Sequence, residues 1–184
     1  MNTGVVSRRF AKALLAYAKE EGQEDKVYEE VRTLAAHFVE VPGLRHAIEN
    51  PVLEKSKKVE LLCEASGRKT VSKVLTRFFN LVLEERREKF LQFMTWSYID
   101  LYQEDKNILI GKLTTAASSP RLVEHLQKLA AERTQGKVIL EEKVDKNLIG
   151  GYIIELAGYR LDASVANQLK RVKQQFIAKN RRIV

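Results

Sequence analysis

The sequence predicts an α+β fold in two parts: an N-terminal bundle of six helices over residues 1–105, then a small C-terminal βαββα unit over residues 106–184. Up to about residue 105 the apolar side chains recur at helical spacing, and the segments read as consecutive helices and nothing else. Near "QEDKN", residues 103–107, the character changes, and "ILIGKLTTA" is dense in β-branched and apolar residues. With only 9 glycines and 3 prolines in 184 residues, a loop-rich or all-β fold is disfavoured.

The first helix is predicted over roughly Val5–Glu20. The second, roughly Asp25–Glu40, puts Val27, Val31, Leu34, Ala35 and Phe38 on one stripe, and Pro42-Gly43 ends it. A short helical piece, "LRHAIEN", follows. Asn50-Pro51 then marks a turn, because the residue before a proline is pushed out of the α region. Glu54–Ala65 is the next helix, ending near Gly67. Thr70–Glu84 carries Val71, Val74, Leu75, Phe78 and Val82 on one side. The polar "EERRE" breaks the pattern, and Lys89–Glu104 aligns Phe90, Leu91, Met94, Tyr98 and Leu101. Short links between these helices predict antiparallel packing.

In the second part "ILIGKLTTA" reads as a strand. Ser119-Pro120 opens a helix, with serine as N-cap and proline at the first helical position. That helix carries Leu122, Val123, Leu126, Leu129 and Ala130, and Gly136 fits its end. "KVILEEKV" and "GYIIEL" are two more strands. A final helix aligns Val165, Leu169, Val172 and Phe176, a stripe expected to serve its own unit's core.

Composition narrows the function classes. At 45% hydrophobic the chain can build a real core. The single cysteine, Cys63 in "VELLCEA", excludes an internal disulfide framework and a cysteine-rich metal site, and reads as a buried or half-buried small hydrophobe. No window approaches the roughly 18 apolar residues of a membrane span, and the N-terminal segment lacks the apolar stretch of a signal peptide, so direct membrane insertion is not expected. The net charge of +8 points to nucleic acid, an anionic surface or acidic protein partners. The excess is concentrated at the end: after Asp162 no acidic residue occurs, while Lys170, Arg171, Lys173, Lys179, Arg181 and Arg182 do.

Catalytic motifs are absent. His37, His46 and His125 fall on three separate elements without ligand spacing, so no metal is expected. There is no Walker-type loop, no GxGxxG and no nucleophile elbow. Glu84-Glu85 and Glu141-Glu142 abut basic residues and read as solvated charge. No catalytic residue, cofactor or small-molecule ligand is therefore expected.

"NLIGGYIIELAGYRLDAS", residues 147–164, allows two readings: a phosphate cradle, or a hairpin leading into a capped helix. Spacing favours the second. Gly150-Gly151 lies about ten residues ahead of the next helix, whereas an anion cradle aims its amides at a helix N-terminus. Ala157-Gly158 is the better reversal, with Gly158 supplying positive φ. Asp162 is the expected N-cap, with Ser164 in the first turn.

The strongest positive feature is surplus apolar surface. Ala11, Leu14, Leu15 and Ala18 give the first helix one stripe, and Phe10, Ala13 and Tyr17 give it a second. In Thr70–Glu84, Phe79, Leu81 and Leu83 lie off the main stripe. Either the two helices line a groove for a partner helix, or both are central in the bundle. A small basic RNA-binding protein is the alternative class, although no RNA-binding motif appears and the basic C-terminus has little aromatic content for stacking.

These residues also resemble a known family. "RRFAKALLAYA", through Arg8, Phe10, Ala11, Ala13, Leu14 and Ala18, is similar to the N-terminal R-x-[YF]-A-x-A-L-x-x-x-A segment of the delta subunits of F-type ATP synthases, called OSCP in mitochondria. Asn50, Pro51, Lys57 and Lys58 resemble that family's Asn-Pro plus downstream lysine motif, and "LVLEERR" its L-x-x-E-x-x-R stretch. "VDKNLIGGYIIELAGYRLDAS" resembles V-D-x-x-L-I-G-G-x-x-I followed by D-[GA]-S. Ala157-Gly158 departs from a common Gly-Asp, Ala163 from a common glycine, and Glu85-Arg86 from a frequent Asn-Gly-like turn.

The resemblance implies a non-catalytic stator subunit with an N-terminal six-helix bundle and a smaller α+β domain. The bundle would sit on the catalytic head and receive the N-terminal helix of the ATP synthase α subunit. The C-terminal domain would hold the b-type stalk helices. It implies a peripheral location on the cytoplasmic face of the bacterial inner membrane, in the F1 sector. Phe10, Ala13, Leu14, Tyr17, Phe78, Leu81 and Val82 are then expected to line the groove for the α-subunit helix. Lys170, Arg171 and Lys173 are expected to meet acidic stalk ends. Asn50, Pro51, Gly150, Gly151, Gly158, Asp162 and Ser164 are expected to shape the fold and bind no ligand.

Overall fold

The computed structural model describes residues 3–67, 71–134 and 136–180, with side chains over 4–67, 71–134 and 136–177. The fold is α+β and divides into two compact units, Met1–Gln103 and Glu104–Val184.

The first unit holds α1 (Thr3–Glu20), α2 (Glu24–Glu40), α3 (Pro42–Glu49), α4 (Lys55–Ala65), α5 (Lys73–Glu84), a 3-10 turn at Glu88–Phe90 and α6 (Leu91–Asp105). The stripe expected on α2 is the one buried: Val27, Val31, Leu34, Ala35 and Phe38. Pro42 does more than end α2. It is the first residue of α3, where its missing N–H removes no helical hydrogen bond, so Val41 alone separates the two helices. Asn50 is extended (φ −66°, ψ 120°), as its following proline demands, and its carboxamide oxygen accepts the Val52 N–H at 2.9 Å.

Helix α5 begins later than its periodicity suggested: Lys73 is its first residue, and Thr70, the expected start, lies outside the described residues. Ser72 caps it by accepting the Leu75 N–H at 3.3 Å. Glu30 reaches this start from α2 with only 3% of its surface exposed. Its carboxylate accepts the Ser72 N–H at 3.0 and 3.2 Å and the Ser72 hydroxyl at 2.6 Å. A carboxylate at a helix N-terminus is electrostatically favoured, so this buried contact joins α2 to α5. Lys58, 4% exposed on α4, pairs with Glu88 Oε1 at 3.4 Å and ties α4 to the 3-10 turn.

In the second unit the order is β1 (Ile108–Thr115), α7 (Pro120–Thr134), β2 (Lys137–Val144), β3 (Tyr152–Leu156), β4 (Tyr159–Asp162) and α8 (Val165–Asn180). The sheet order is β2-β1-β3-β4. β1 and β2 are parallel across α7, and the β1–β3 and β3–β4 pairs are antiparallel. The βαββα expectation omits β4. "YRLD" is too short and too polar to stand out as a strand; it becomes one because a two-residue turn folds it back on β3. Leu156 pairs with Tyr159, and the intervening Ala157 and Gly158 have φ of +49° and +80°. That is the geometry of a tight hairpin whose twist matches its strands.

Leu113, Val138 and Leu140 project from one sheet face onto Leu126 of α7, flanked by Leu109, Leu122, Val123, Tyr152, Ile154 and Leu156. The expected contribution of α8 to this core is not made. Leu169 is 62% exposed, Val172 47% and Phe176 65%. Helical spacing determines which side chains share a face; it does not supply a surface to cover that face.

Candidate partner-binding surfaces

Helices α1 and α5 run antiparallel. Tyr17 and Arg77 meet at one end, and Val5 and Val6 lie beside Glu85 and Arg87 at the other. Ala11, Leu14, Leu15 and Ala18 of α1 are buried, while its second stripe stays at the surface: Phe10 and Tyr17 are half-buried and Ala13 is exposed. Between the helices lies an open groove of about 640 Å³ lined by Phe10, Ala13, Leu14, Tyr17, Phe78 and Leu81, with Arg77, Asn80 and Glu84 on its rim. Phe10 and Leu81 also line an adjoining hollow of about 430 Å³ with Val5 and Val6. The twelve helical steps from Val5 to Tyr17 span about 18 Å, room for roughly three turns of a partner.

The structure therefore brings six of the seven expected groove residues together. Val82 is the exception: at 1% exposed it belongs to the interior. Phe79 and Leu83 are buried as well, at 0% and 3%, so α5 buries a wide face, and Leu81, 45% exposed, is its most open apolar residue in the groove. The surplus apolar residues of α5 other than Leu81 are therefore interior, whereas those of α1 stay along the wall of the groove. Sequence reasoning missed Arg77, whose guanidinium lies 5.7 Å from the Tyr17 ring centroid and donates to the Tyr17 hydroxyl at 3.3 Å. Its spacing of four from Leu81 is the signal that would have found it.

In the second unit Lys170, Arg171 and Lys173 are exposed on α8, as expected. The unexpected part is the apolar stripe on the same helix, Leu169, Val172, Phe176 and Ile177, which is open to solvent. α8 is held by its N-terminal end. Ser164, not Asp162, is its N-cap: Ser164 Oγ accepts the Asn167 N–H at 3.3 Å. Asp162 stands two residues earlier and accepts the Ser164 N–H at 2.9 Å. Ser164's hydroxyl and amide hold the Asp162 carboxyl below its ordinary value.

The glycine pair packs against this same cap. The Val165 N–H donates to the Gly150 carbonyl at 3.0 Å, and the Ala163 N–H to Tyr152 at 2.9 Å. Gly151 has φ +79°, and a Cβ there would collide with the Ala163 carbonyl oxygen. The Ser164, Val165 and Asn167 amides at the start of α8 are thus taken by the chain itself, and the pair is a backbone joint. Glu142, read from sequence as solvated charge, plays a similar part at α7. It accepts the Ser119 N–H at 2.9 Å, the Ser118 hydroxyl at 2.7 Å and the Thr115 hydroxyl at 3.1 Å. These donors, the Ser119 amide first, hold its carboxyl below the usual range. Burial pushes the half-buried Cys63 thiol up, in keeping with a packing role.

A groove between two helices and a helix with an open apolar stripe define a protein-binding adaptor. The comparisons specify which kind. The family model described as the ATP synthase delta (OSCP) subunit matches residues 6–176. "ATP synthase subunit delta" of Phocaeicola vulgatus is 58% identical over the full length of both chains, and that of Bacteroides fragilis 46% identical, also over the full length of both. A chain of the mitochondrial ATP synthase hexamer of Toxoplasma gondii has the same fold, with a TM-score of 0.64 at 19% identity over 93% of this chain and 97% of that one. The chain belongs to the ATP synthase delta (OSCP) family. It is a structural, non-catalytic subunit of the peripheral stalk, the stator of F-type ATP synthase, in the F1 sector peripheral to the membrane. Among the described residues no helix is long and apolar enough to cross a membrane.

Proposed function

We propose that the two open surfaces divide the stator's work. In this reading the six helices of residues 1–105 form a bundle on the catalytic head, and the α1/α5 groove receives the N-terminal helix of the ATP synthase α subunit. Residues 106–184 hold the b-type stalk helices along α8, at the cytoplasmic face of the bacterial inner membrane. The subunit then resists the torque that would turn the head with the rotor during ATP synthesis. The groove is the observation that carries this: it is open, lined by Phe10, Tyr17 and Leu81, rimmed by Arg77 and Glu84, and runs along α1 for the length of a short helix. On α8 the apolar stripe supplies burial, and Lys170, Arg171 and Lys173 supply steering toward acidic side chains.

The direct test titrates a peptide of the α-subunit N-terminus against the full chain. Saturable binding that Leu81→Ala weakens is the expected result, and no binding at several hundred micromolar would remove the groove assignment. For the stalk surface, affinity for the b-type partner should fall between low and moderate salt. An affinity flat across that range would remove the basic residues from the contact.

A further inference from the structure

The sheet is wider than the helix packed on it. Strands lie about 4.8 Å apart and packed helices about 8–10 Å apart, so one helix covers about two strands. α7 covers β2 and β1: Val138, Leu140 and Leu113 beneath it are 7%, 5% and 0% exposed. Register pairing carries the same face on to β3 and β4. Leu113 pairs with Ile154, and Ile154 with Leu161; Gly111 pairs with Leu156, and Leu156 with Tyr159. Exposure rises along both rows. Ile154 and Leu156 are half-buried, Leu161 is 58% exposed and Tyr159 83%. The near wall of this uncovered half is α7 itself. The β1–α7–β2 crossover is right-handed, as helix-joined parallel neighbours are, and this turns the flank of α7 carrying Leu122 and Leu129 toward β3. Leu129 is 42% exposed. An apolar floor beside an apolar helix flank makes a trough one helix wide. α8 does not fill it: its start is tied down by the Ser164 cap and the Val165–Gly150 bond, and its own stripe is in solvent.

We infer that this trough seats a helix of the peripheral stalk, laid beside α7 over β3 and β4. The inference rests on the stalk-binding role proposed for residues 106–184, and it gives that role a second surface. Continuity favours the stalk as occupant. β4 leads through Ala163 and Ser164 alone into α8, so the trough and the open α8 stripe adjoin along the chain and can meet one partner. The walls set the partner's chemistry. Leu129 on one side, Ile154 and Leu156 below and Leu161 and Tyr159 on the outer strand require a wide apolar face, with side chains at i, i+3, i+4 and i+7. Tyr159 adds a ring to bury and a hydroxyl for a polar group at the partner's edge, the combination that makes tyrosine a frequent anchor at interfaces.

Titration of the full chain with a soluble fragment of the b-type stalk subunit tests this. Tyr159→Thr and Leu161→Thr remove apolar area while keeping a residue suited to a strand. Leu129→Gln does the same with a good helix former. Each should weaken binding about three- to tenfold, and the three together about a hundredfold. Ile110→Thr, at a position 42% exposed on the opposite sheet face, should leave the affinity unchanged. Thermal midpoints of the free variants should stay close to that of the parent chain, because the trough is open until the stalk arrives. If the trough variants bind like the parent while Leu169→Gln or Phe176→Gln weakens binding, the stalk stays on α8 and the trough inference falls alone. If affinity falls only in step with a lowered thermal midpoint, and Phe176→Gln lowers that midpoint equally, α8 closes the trough and the stalk is not its occupant. If no variant of either set changes the affinity, the stalk-binding reading falls, and this inference with it.

Discussion

Leu81→Ala separates binding from folding more cleanly than any other change in the groove. Leu81 is 45% exposed, whereas its neighbours Phe78 and Val82 are 7% and 1% exposed and belong to the interior. Full burial of a leucine side chain is worth about 1.5–3 kcal/mol. The fraction still open in the free subunit therefore offers a partner helix about 0.7–1.4 kcal/mol. Removing it should weaken binding of the α-subunit peptide by roughly three- to tenfold. The part of Leu81 already buried is worth about 0.8–1.7 kcal/mol by the same measure, so the stability loss should stay within that range. Phe78→Ala is the contrast, a core truncation that should cost about 3–5 kcal/mol of stability. Calorimetric titration and thermal denaturation of the same preparations provide both numbers. The reasoning fails if Leu81→Ala leaves the affinity unchanged. It fails equally if the affinity falls only in step with lost stability.

Three further outcomes follow from the second unit. Ser164→Ala removes the α8 cap and should cost about 1 kcal/mol, seen as faster amide exchange in the first turn of α8; unchanged exchange would return the cap to Asp162. Gly151→Ala meets both a positive φ and the Ala163 carbonyl, so it should destabilise the unit by more than about 1 kcal/mol, while Gly158→Asn, in an open turn, should be tolerated. Asp162 and Glu142 have carboxyls held below their ordinary values in the folded state. Their contribution is complete above the unfolded pKa of about 4 and is lost as pH falls through the lower folded value. Urea midpoints should therefore fall below about pH 4, with a shallower slope in Glu142→Gln.

Local patterns in the chain were enough for the helices of the first unit, the α2 stripe, the extended Asn50 before Pro51, the Ala157-Gly158 reversal and the family. These depend on periodicity, on steric limits at proline and glycine, and on motifs carried by contiguous residues. The elements that escaped depend on something distant in sequence. β4 is a strand because a turn lays four unremarkable residues against β3. Glu30 and Glu142 are indistinguishable from other surface glutamates until folding brings a helix start to each. Val82 and Leu81 are adjacent in sequence, yet one is sealed and the other lines the groove, because α5 turns one wide face inward and leaves Lys73, Arg77, Asn80, Leu81 and Glu84 outside. On α8 the periodicity of Leu169, Val172 and Phe176 established a shared apolar face, and only the tertiary structure left that face open. A side chain's spacing sets its direction from the helix axis; whether anything waits in that direction is decided by the rest of the fold.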